Sequence, residues 1–326
     1  MVRRKMDELE IIELLRRRLG RSDKAFMDLE DDVAWLPSER GYDVFKVDML
    51  VESTDVPPGM RPELIARKSV VSCISDFAAK GVKPEACMLS LGIPKGKGDE
   101  WIKRFIDGFR RAGEEFGFEI IGGDVNESKE VIVDCFLYGK AGRKTGRNGA
   151  KIGDMVMATG FFGITKMGLM HLLEGRPLPA GMKRMCLNSV LKPSPPLQFG
   201  LRVIGGGMAN ASMDSSDGLA VTLHEIAKQS GKGIVIERLP TPRGFIEKAV
   251  KLGYDPLDLI LYGGEEFQIV FTVKPTMVRR ISSLAKKMNV PLTVIGKVEE
   301  GEGVLLRTDK EAVEVKEKGW VHLYER

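Results

Sequence analysis

Histidine is nearly missing from this chain. Three occur in 326 residues, at positions 171, 224 and 322, too few for a histidine-rich metal site and unfavourable for most imidazole acid–base schemes. Cysteine is almost as scarce. Cys73, Cys87, Cys135 and Cys186 are widely spaced and form no CxxC pair, which excludes the spacing of a structural zinc site or a thioredoxin-like redox centre. Isolated thiols in apolar stretches suit a core and a reducing, cytoplasmic setting. Long hydrophobic runs are absent too: Met155 to Ala158 and Phe161 to Ile164 fall far short of the ~20 residues of a membrane span. The charged start MVRRKMDELE is followed by no apolar stretch of the kind a secretory signal carries. Neither charge sign dominates: 50 Lys and Arg stand against 46 Asp and Glu, a net +4, which in a chain this long does not point to nucleic acid. The familiar nucleotide loops are also missing. GIPKGKGD at 92–99 is one residue short of a P-loop and lacks its hydroxyl, no GxGxxG opens a helix, and no GxSxG elbow occurs.

What is present is glycine, 37 residues of it, often in clusters, and an alternation of helical and strand periods. Leu9, Ile12 and Leu15 predict an amphipathic helix over 6–19, and Phe45, Val47 and Met49 alternate with Lys46 and Asp48 in a strand over 43–51. A helix over 62–80 should stop at Gly81. Further elements are expected as strand 86–93, helix 99–116, strands 119–121 and 130–139, strand 155–159, helices near 164–174, 182–191 and 197–204, and helix 217–229. Strand 233–237, helix 243–252, strand 267–273, helix 275–288, strand 292–298 and a terminal strand pair follow. The fold class is therefore α/β (α+β). The basic, glycine-rich stretch GRKTGRNGAKIG at 142–153 has no hydrophobic period and divides the chain into domains at 1–145 and 146–326.

Acidic residues gather at glycine-rich turns and strand ends: Asp31 and Asp32, Asp48 in a strand, Asp76 in a helix, Asp124 after Gly122-Gly123, Asp214 and Asp217 in MDSSDGL, Glu265 and Glu266 after Gly263-Gly264. Each alone has a plainer reading: a turn residue for Asp124, an N-cap for Asp217, a solvated helix position for Asp76, a linker residue for Arg147. Yet Asp76 falls between Ile74 and Phe77 in a mostly apolar helix, where a carboxylate must be wet, paired or metal-bound. Clustered carboxylates suit Mg²⁺, which takes oxygen ligands and bridges to phosphates. Turns such as Ile121-Gly122-Gly123-Asp124 let backbone N–H groups approach a phosphate, and the planar fork of Arg147 suits the same ligand.

Taken together, SDFAAKGVKP (75–84), IIGGDVNES (120–128), RNGAKIGD (147–154), MDSSDGLAVTLHEIAKQSGKG (213–233), PLDLILYGGEEFQIVFTV (256–273) and GKVEEGEGV (296–304) resemble the thiamine-monophosphate kinase family, within the aminoimidazole ribonucleotide synthetase-like superfamily. The resemblance runs from Asp31 to about position 322. It implies a PurM-like architecture: a ferredoxin-like N-terminal domain that binds ATP and Mg²⁺ and pairs with its copy in a homodimer, and a second α/β domain. It implies a cytoplasmic enzyme that moves the ATP γ-phosphoryl onto thiamine monophosphate, with no nucleic acid or membrane partner. Residue by residue, it implies metal ligands at Asp32, Asp48, Asp76, Asp124, Asp214 and Asp217. ATP contacts would come from Gly123, Asp124, Arg147 and Ser216, with Asp124 and Arg147 catalytic. Asp55, Glu265 and Trp320 would face the acceptor. The chain departs from the family at Glu30, where the family has glycine, at Lys46 and Val47, where it has hydroxyl residues, and at Asp55, where it has a histidine. Two alternatives stand beside this reading: another ATP-dependent enzyme of the superfamily, and a nucleotide-binding paralogue without catalysis.

Overall fold

The computed structural model describes residues 6–19, 31–308 and 311–320; Glu30 and position 322 lie outside them. A helix α1 (Glu8–Leu19) precedes the first sheet. Strands β1 (Ala34–Ser38) and β2 (Gly41–Val51) form a hairpin, and a short turn α2 (Glu52–Asp55) leads to the long helix α3 (Pro62–Lys80). β3 (Lys83–Ile93), α4 (Asp99–Phe116), β4 (Glu119–Glu127) and β5 (Ile132–Ala141) complete this half, and the sheet order is β1-β2-β5-β3-β4. β3 and β4 are parallel across the α4 crossover, while β5 inserts antiparallel between β2 and β3.

The second half opens after the irregular stretch 142–154. It runs β6 (Met155–Thr159), α5 (Ile164–Glu174), α6 (Lys183–Leu191), α7 (Leu197–Val203), β7 (Ala211–Ser215) and α8 (Leu219–Ser230). It continues through β8 (Gly233–Ile236), α9 (Phe245–Lys251), α10 (Pro256–Leu261), β9 (Gln268–Val273), α11 (Val278–Lys287), β10 (Leu292–Glu299), β11 (Val304–Arg307) and β12 (Ala312–Glu314), in the sheet order β12-β11-β8-β10-β6-β9-β7. This is the mixed α/β fold, with two sheets, that the sequence predicts. Among the described residues no helix is long and apolar enough to cross a membrane.

Helix α3 organises the molecule. Pro62 opens it, where the missing N–H is no loss, and Gly81 closes it in a left-handed conformation with φ 66°. Nearly all its side chains are buried, because it packs on β2 and β5 on one side and on α7, β7 and β9 on the other. The approach to α7 is at backbone distance: a Cβ on Gly200 would sit 2.0 Å from the Ala78 carbonyl oxygen. One core runs from the first sheet through α3 to Phe199, Phe271 and Val273. A second, on the opposite face of the second sheet, gathers Val156, Ala158, Leu223 and Val270. Strand β9 shows the division, with Ile269, Phe271 and Val273 in the first core and Val270 in the second, as period-two geometry requires.

The other face of the first sheet is open. Val47, Met49, Met88 and Phe136 are exposed on it, and Phe45 lies 5.9 Å from Phe136 and 5.4 Å from Tyr138 between ring centroids.

Several elements differ from expectation. β4 continues to Glu127, so Asp124 stands inside a strand rather than on a turn leaving one. The reason is Gly123, where a Cβ would fall 1.9 Å from the Leu89 carbonyl oxygen: the glycine permits close strand contact. β1, β7 and α10 are not predicted. β7 reads ASMDS, polar in composition yet buried at every position, and only its place against α3 and β9 makes it a strand.

Candidate active site

The polar residues of α3 form a stripe. Lys68, Asp76 and Lys80 recur at multiples of four, so they share a helix face, and Ser75 lies beside them. Lys80 is fully buried; its Nζ lies 2.7 Å from Asp31 and 2.8 Å from Asp32, and donates to the Ser212 carbonyl at 2.7 Å. The Trp35 indole N–H donates to Asp31 at 2.9 Å. Arg147 grips Asp32 with two guanidinium nitrogens, Nε donating at 3.0 Å, and reaches Glu225 at 3.5 Å. Ser75 Oγ donates to Asp214 at 2.7 Å. Asp76 is paired with Lys46 at 2.9 Å, and Lys46 lies 3.6 Å from Asp48.

The outcome is convergence. Asp32, Asp76 and Asp214, from a loop, a helix and a strand, are all buried and offer carboxylate oxygens within 4.8 Å of one another. Their electrostatics reflect this crowding. Burial works to raise Asp32, but the Arg147 and Lys80 charges outweigh it and hold the carboxyl at about 2. Burial pushes Asp214 up to about 7, with the Asp32 charge adding to it. Asp76 is also driven well upward by burial, against the pull of Lys46 and with repulsion from Asp214, Asp32 and Asp48. Buried carboxylates in such a group resist full ionisation until a cation joins them, and an oxygen-only donor set fits a hard divalent ion such as Mg²⁺.

A second group lies around the β7–α8 junction. The Glu265 and Phe267 N–H groups donate to the Ser216 and Ser215 carbonyls at 2.6 and 2.9 Å, and the Trp320 N–H donates to the Asp217 carbonyl at 3.2 Å. Ser216, Asp217, Glu265 and Trp320 are thus neighbours. Lys68 joins Glu265 to Asp55: its Nζ is 2.5 Å from the Glu265 carboxylate and donates to the Asp55 carbonyl oxygen at 2.5 Å. The Asp55 carboxylate itself accepts from the Val51 N–H at 2.6 Å.

Gly123 and Asp124 are not brought to the three buried carboxylates. Both are exposed on β4, the outermost strand. The register places Gly123 in the row of Leu89, Cys135 and Asp48, and Asp124 in the row of Ser90, Asp134 and Met49 on the open face. Three inter-strand spacings, roughly 14 Å, separate β4 from β2.

Sequence reasoning missed Lys68, Ser75 and Lys80, which resemble ordinary helix residues. The available signal was their four-residue spacing with Asp76 in an apolar helix. It also missed the burial of Glu266. That burial drives its carboxyl well above the usual range, against the pull of the Glu266 and Gly163 backbone N–H groups. Glu265 and Phe267 on either side adopt positive φ of 62° and 52°, a conformation costly for such residues. The loop thereby turns Glu266 inward while Glu265 pairs with Lys68.

Comparison with known proteins bears on this arrangement. Residues 30–141 match the family described as AIR synthase related protein, N-terminal domain, and residues 153–308 its C-terminal domain. The thiamine-monophosphate kinase of Nitrosopumilus maritimus is 39% identical over 318 residues, 98% of this chain and 99% of that one. The Pyrococcus horikoshii thiamine-monophosphate kinase is 34% identical over 295 residues, 90% of this chain and 91% of its own. The solved complex of AaThiL with AMPPCP and TMP superposes with a TM-score of 0.84 at 29% identity, covering 99% of both chains. With such identity along nearly its whole length, the chain belongs to the thiamine-monophosphate kinase family.

Proposed function

We propose that this protein transfers the γ-phosphoryl group of ATP to the phosphate of thiamine monophosphate, giving thiamine diphosphate and ADP, with Mg²⁺ held by Asp32, Asp76 and Asp214. The observation that carries the phosphoryl chemistry is the meeting of these three buried carboxylates within 4.8 Å. The acceptor follows from the full-length relatives. A bound Mg²⁺ supplies charge neutralisation for the triphosphate.

The chain's own residues supply the rest. A phosphate monoester is largely dianionic at neutral pH, so the acceptor needs no general base, in keeping with three histidines in the whole chain. The obstacle is bringing two polyanions together, several kcal/mol in a partly dry site. Arg147, mostly buried and held by Asp32 and Glu225, would turn part of its planar fork to phosphate oxygens as Asp32 takes up the metal. Ser216 and Asp217, at the β7–α8 junction, are assigned to the nucleotide, and Asp48 is linked to Asp76 through Lys46. On the acceptor side, the exposed indole of Trp320 suits stacking on a thiazolium cation, about 0.5–2 kcal/mol. Glu265 and Asp55, tied together by Lys68, are assigned to the same substrate. A coupled ATPase assay with Mg²⁺, with and without thiamine monophosphate, tests the proposal. Stimulation by thiamine monophosphate supports it. ATP turnover indifferent to that substrate indicates another superfamily enzyme, and tight ATP binding without turnover a non-catalytic paralogue.

Gly123 and Asp124 contribute to the nucleotide from β4. Asp124→Asn should lose turnover while the protein stays folded, as its circular dichroism would show. Near-wild-type activity would remove Asp124 from the site.

The open face of the first sheet, with Val47, Met49, Met88 and Phe136 exposed, is covered by a second copy in a homodimer. Exposed apolar patches of this kind mark association surfaces. Sedimentation should return twice 36.1 kDa, and a monomer would refute this. The setting is cytoplasmic, in accord with four buried free thiols.

Asp214 makes metal binding depend on pH. Its carboxyl lies at about 7 in the folded protein against an ordinary 3.8. Its contribution to metal-free stability is therefore complete below about 4 and lost as pH rises through about 7. A divalent ion needs the ionised form, so Mg²⁺ should raise the melting temperature more at pH 8 than at pH 5.5. An equal rise at both would detach Asp214 from the metal.

A further inference from the structure

Lys46 stands between two carboxylates. It lies on β2 two residues before Asp48, so both side chains leave the same face of the strand toward α3. Its Nζ is 2.9 Å from Asp76 and 3.6 Å from Asp48, and its side chain is mostly buried. A divalent ion bridging Asp48 and Asp76 would have to sit about 2.1 Å from an oxygen of each, in the space the ammonium fills. Two cations so close repel strongly in a partly dry site. Asp76 belongs to both groups: it faces Asp32 and Asp214 on one side and is joined to Asp48 through Lys46 on the other.

We propose that Lys46 is a resident cation replacing a divalent ion between Asp48 and Asp76, so that the divalent ions of this site are confined to the Asp32–Asp76–Asp214 side and number one fewer than its carboxylates would otherwise hold. The proposal deepens the reading above and rests on its assignment of divalent ions to those three carboxylates. Lys46 supplies one positive charge where Mg²⁺ would supply two. It is tethered, so the Asp48–Asp76 position is filled at any metal concentration.

The test counts Mn²⁺ bound per chain by electron paramagnetic resonance, in full-length protein saturated with a non-hydrolysable ATP analogue. Lys46→Thr should bind one more Mn²⁺ than wild type. Lys46→Met should show the same gain, because Asp48 and Asp76 provide the ligands, and it serves as the second variant if threonine disturbs folding. Asp48→Asn should leave the wild-type count unchanged, yet remove the additional ion from the Lys46→Thr protein. Equal, non-zero counts in wild type and both Lys46 variants overturn the Lys46 assignment alone, as does a lower count in Asp48→Asn by itself. No Mn²⁺ beyond that carried by the nucleotide, in any variant, sinks both this assignment and the metal reading of the three carboxylates.

Discussion

Asp214→Asn should melt higher than wild type in EDTA at pH 8 and yet turn over thiamine monophosphate roughly 10²–10³-fold more slowly, the loss seen when one preorganised electrostatic contact to a transition state is removed. Both halves of this result come from the same crowding. Asp214 is buried beside Asp32 and Asp76, and burial holds its carboxyl at about 7. Above that pH the metal-free protein must keep an ionised carboxylate among others. Asparagine removes the charge and retains an oxygen to accept the Ser75 hydroxyl, which donates at 2.7 Å in the wild type. The stabilisation should be roughly 1–3 kcal/mol at pH 8 and fade toward pH 5, where the native acid is already neutral. Adding Mg²⁺ should reverse the order of melting temperatures. Such an exchange of stability for activity is common at functional sites. A lower melting temperature in EDTA with activity preserved would show that Asp214 is structural.

Lys80→Met should have the largest effect on folding. The Lys80 ammonium is fully buried between Asp31 and Asp32 and also bonds the Ser212 carbonyl. Removing one partner of a buried ionic group leaves uncompensated charge and typically costs about 3–5 kcal/mol, a large part of a protein's net stability. Denaturant titration at pH 7.5 should show the midpoint falling accordingly. Asp31→Asn in the Lys80→Met background should recover part of the loss. A shift below ~1 kcal/mol, the range of a solvent-exposed ion pair, would contradict the buried network.

The sequence was most informative where local chemistry decides structure. Helix α3 has the predicted ends because Pro62 and Gly81 act through their own backbone preferences. Asp48 and Asp76 lie on the expected strand and helix. The pairings of Lys46, Lys68 and Lys80 were not legible, since a lysine among apolar residues has the same local preferences whether it meets solvent or a carboxylate distant in sequence. Asp31 and Asp32 meet Lys80 almost fifty positions away, and Ser212 meets it across 132. β7 was hidden for the same reason: its five residues carry no strand alternation and depend on packing against α3. The two glycines before Asp124 suggest a turn, whereas Gly123 is needed for space against Leu89. Membership of the family was legible because its motifs are long and specific, and 39% identity along 98% of the chain accords with it.

Helix α3 also limits how ligands can come and go. Its nineteen residues make a rod about 28 Å long, fastened at four levels to the second half of the molecule: Arg67 to the Pro193 carbonyl, Lys68 to Glu265, Ser75 to Asp214 and Lys80 to the Ser212 carbonyl. Swinging the halves apart as jaws would break all four together, at about 1.5–3 kcal/mol for each charged bond. At that cost a gaping form would be populated at less than about one molecule in a thousand. Nucleotide and acceptor must therefore come and go with the two halves still joined along α3.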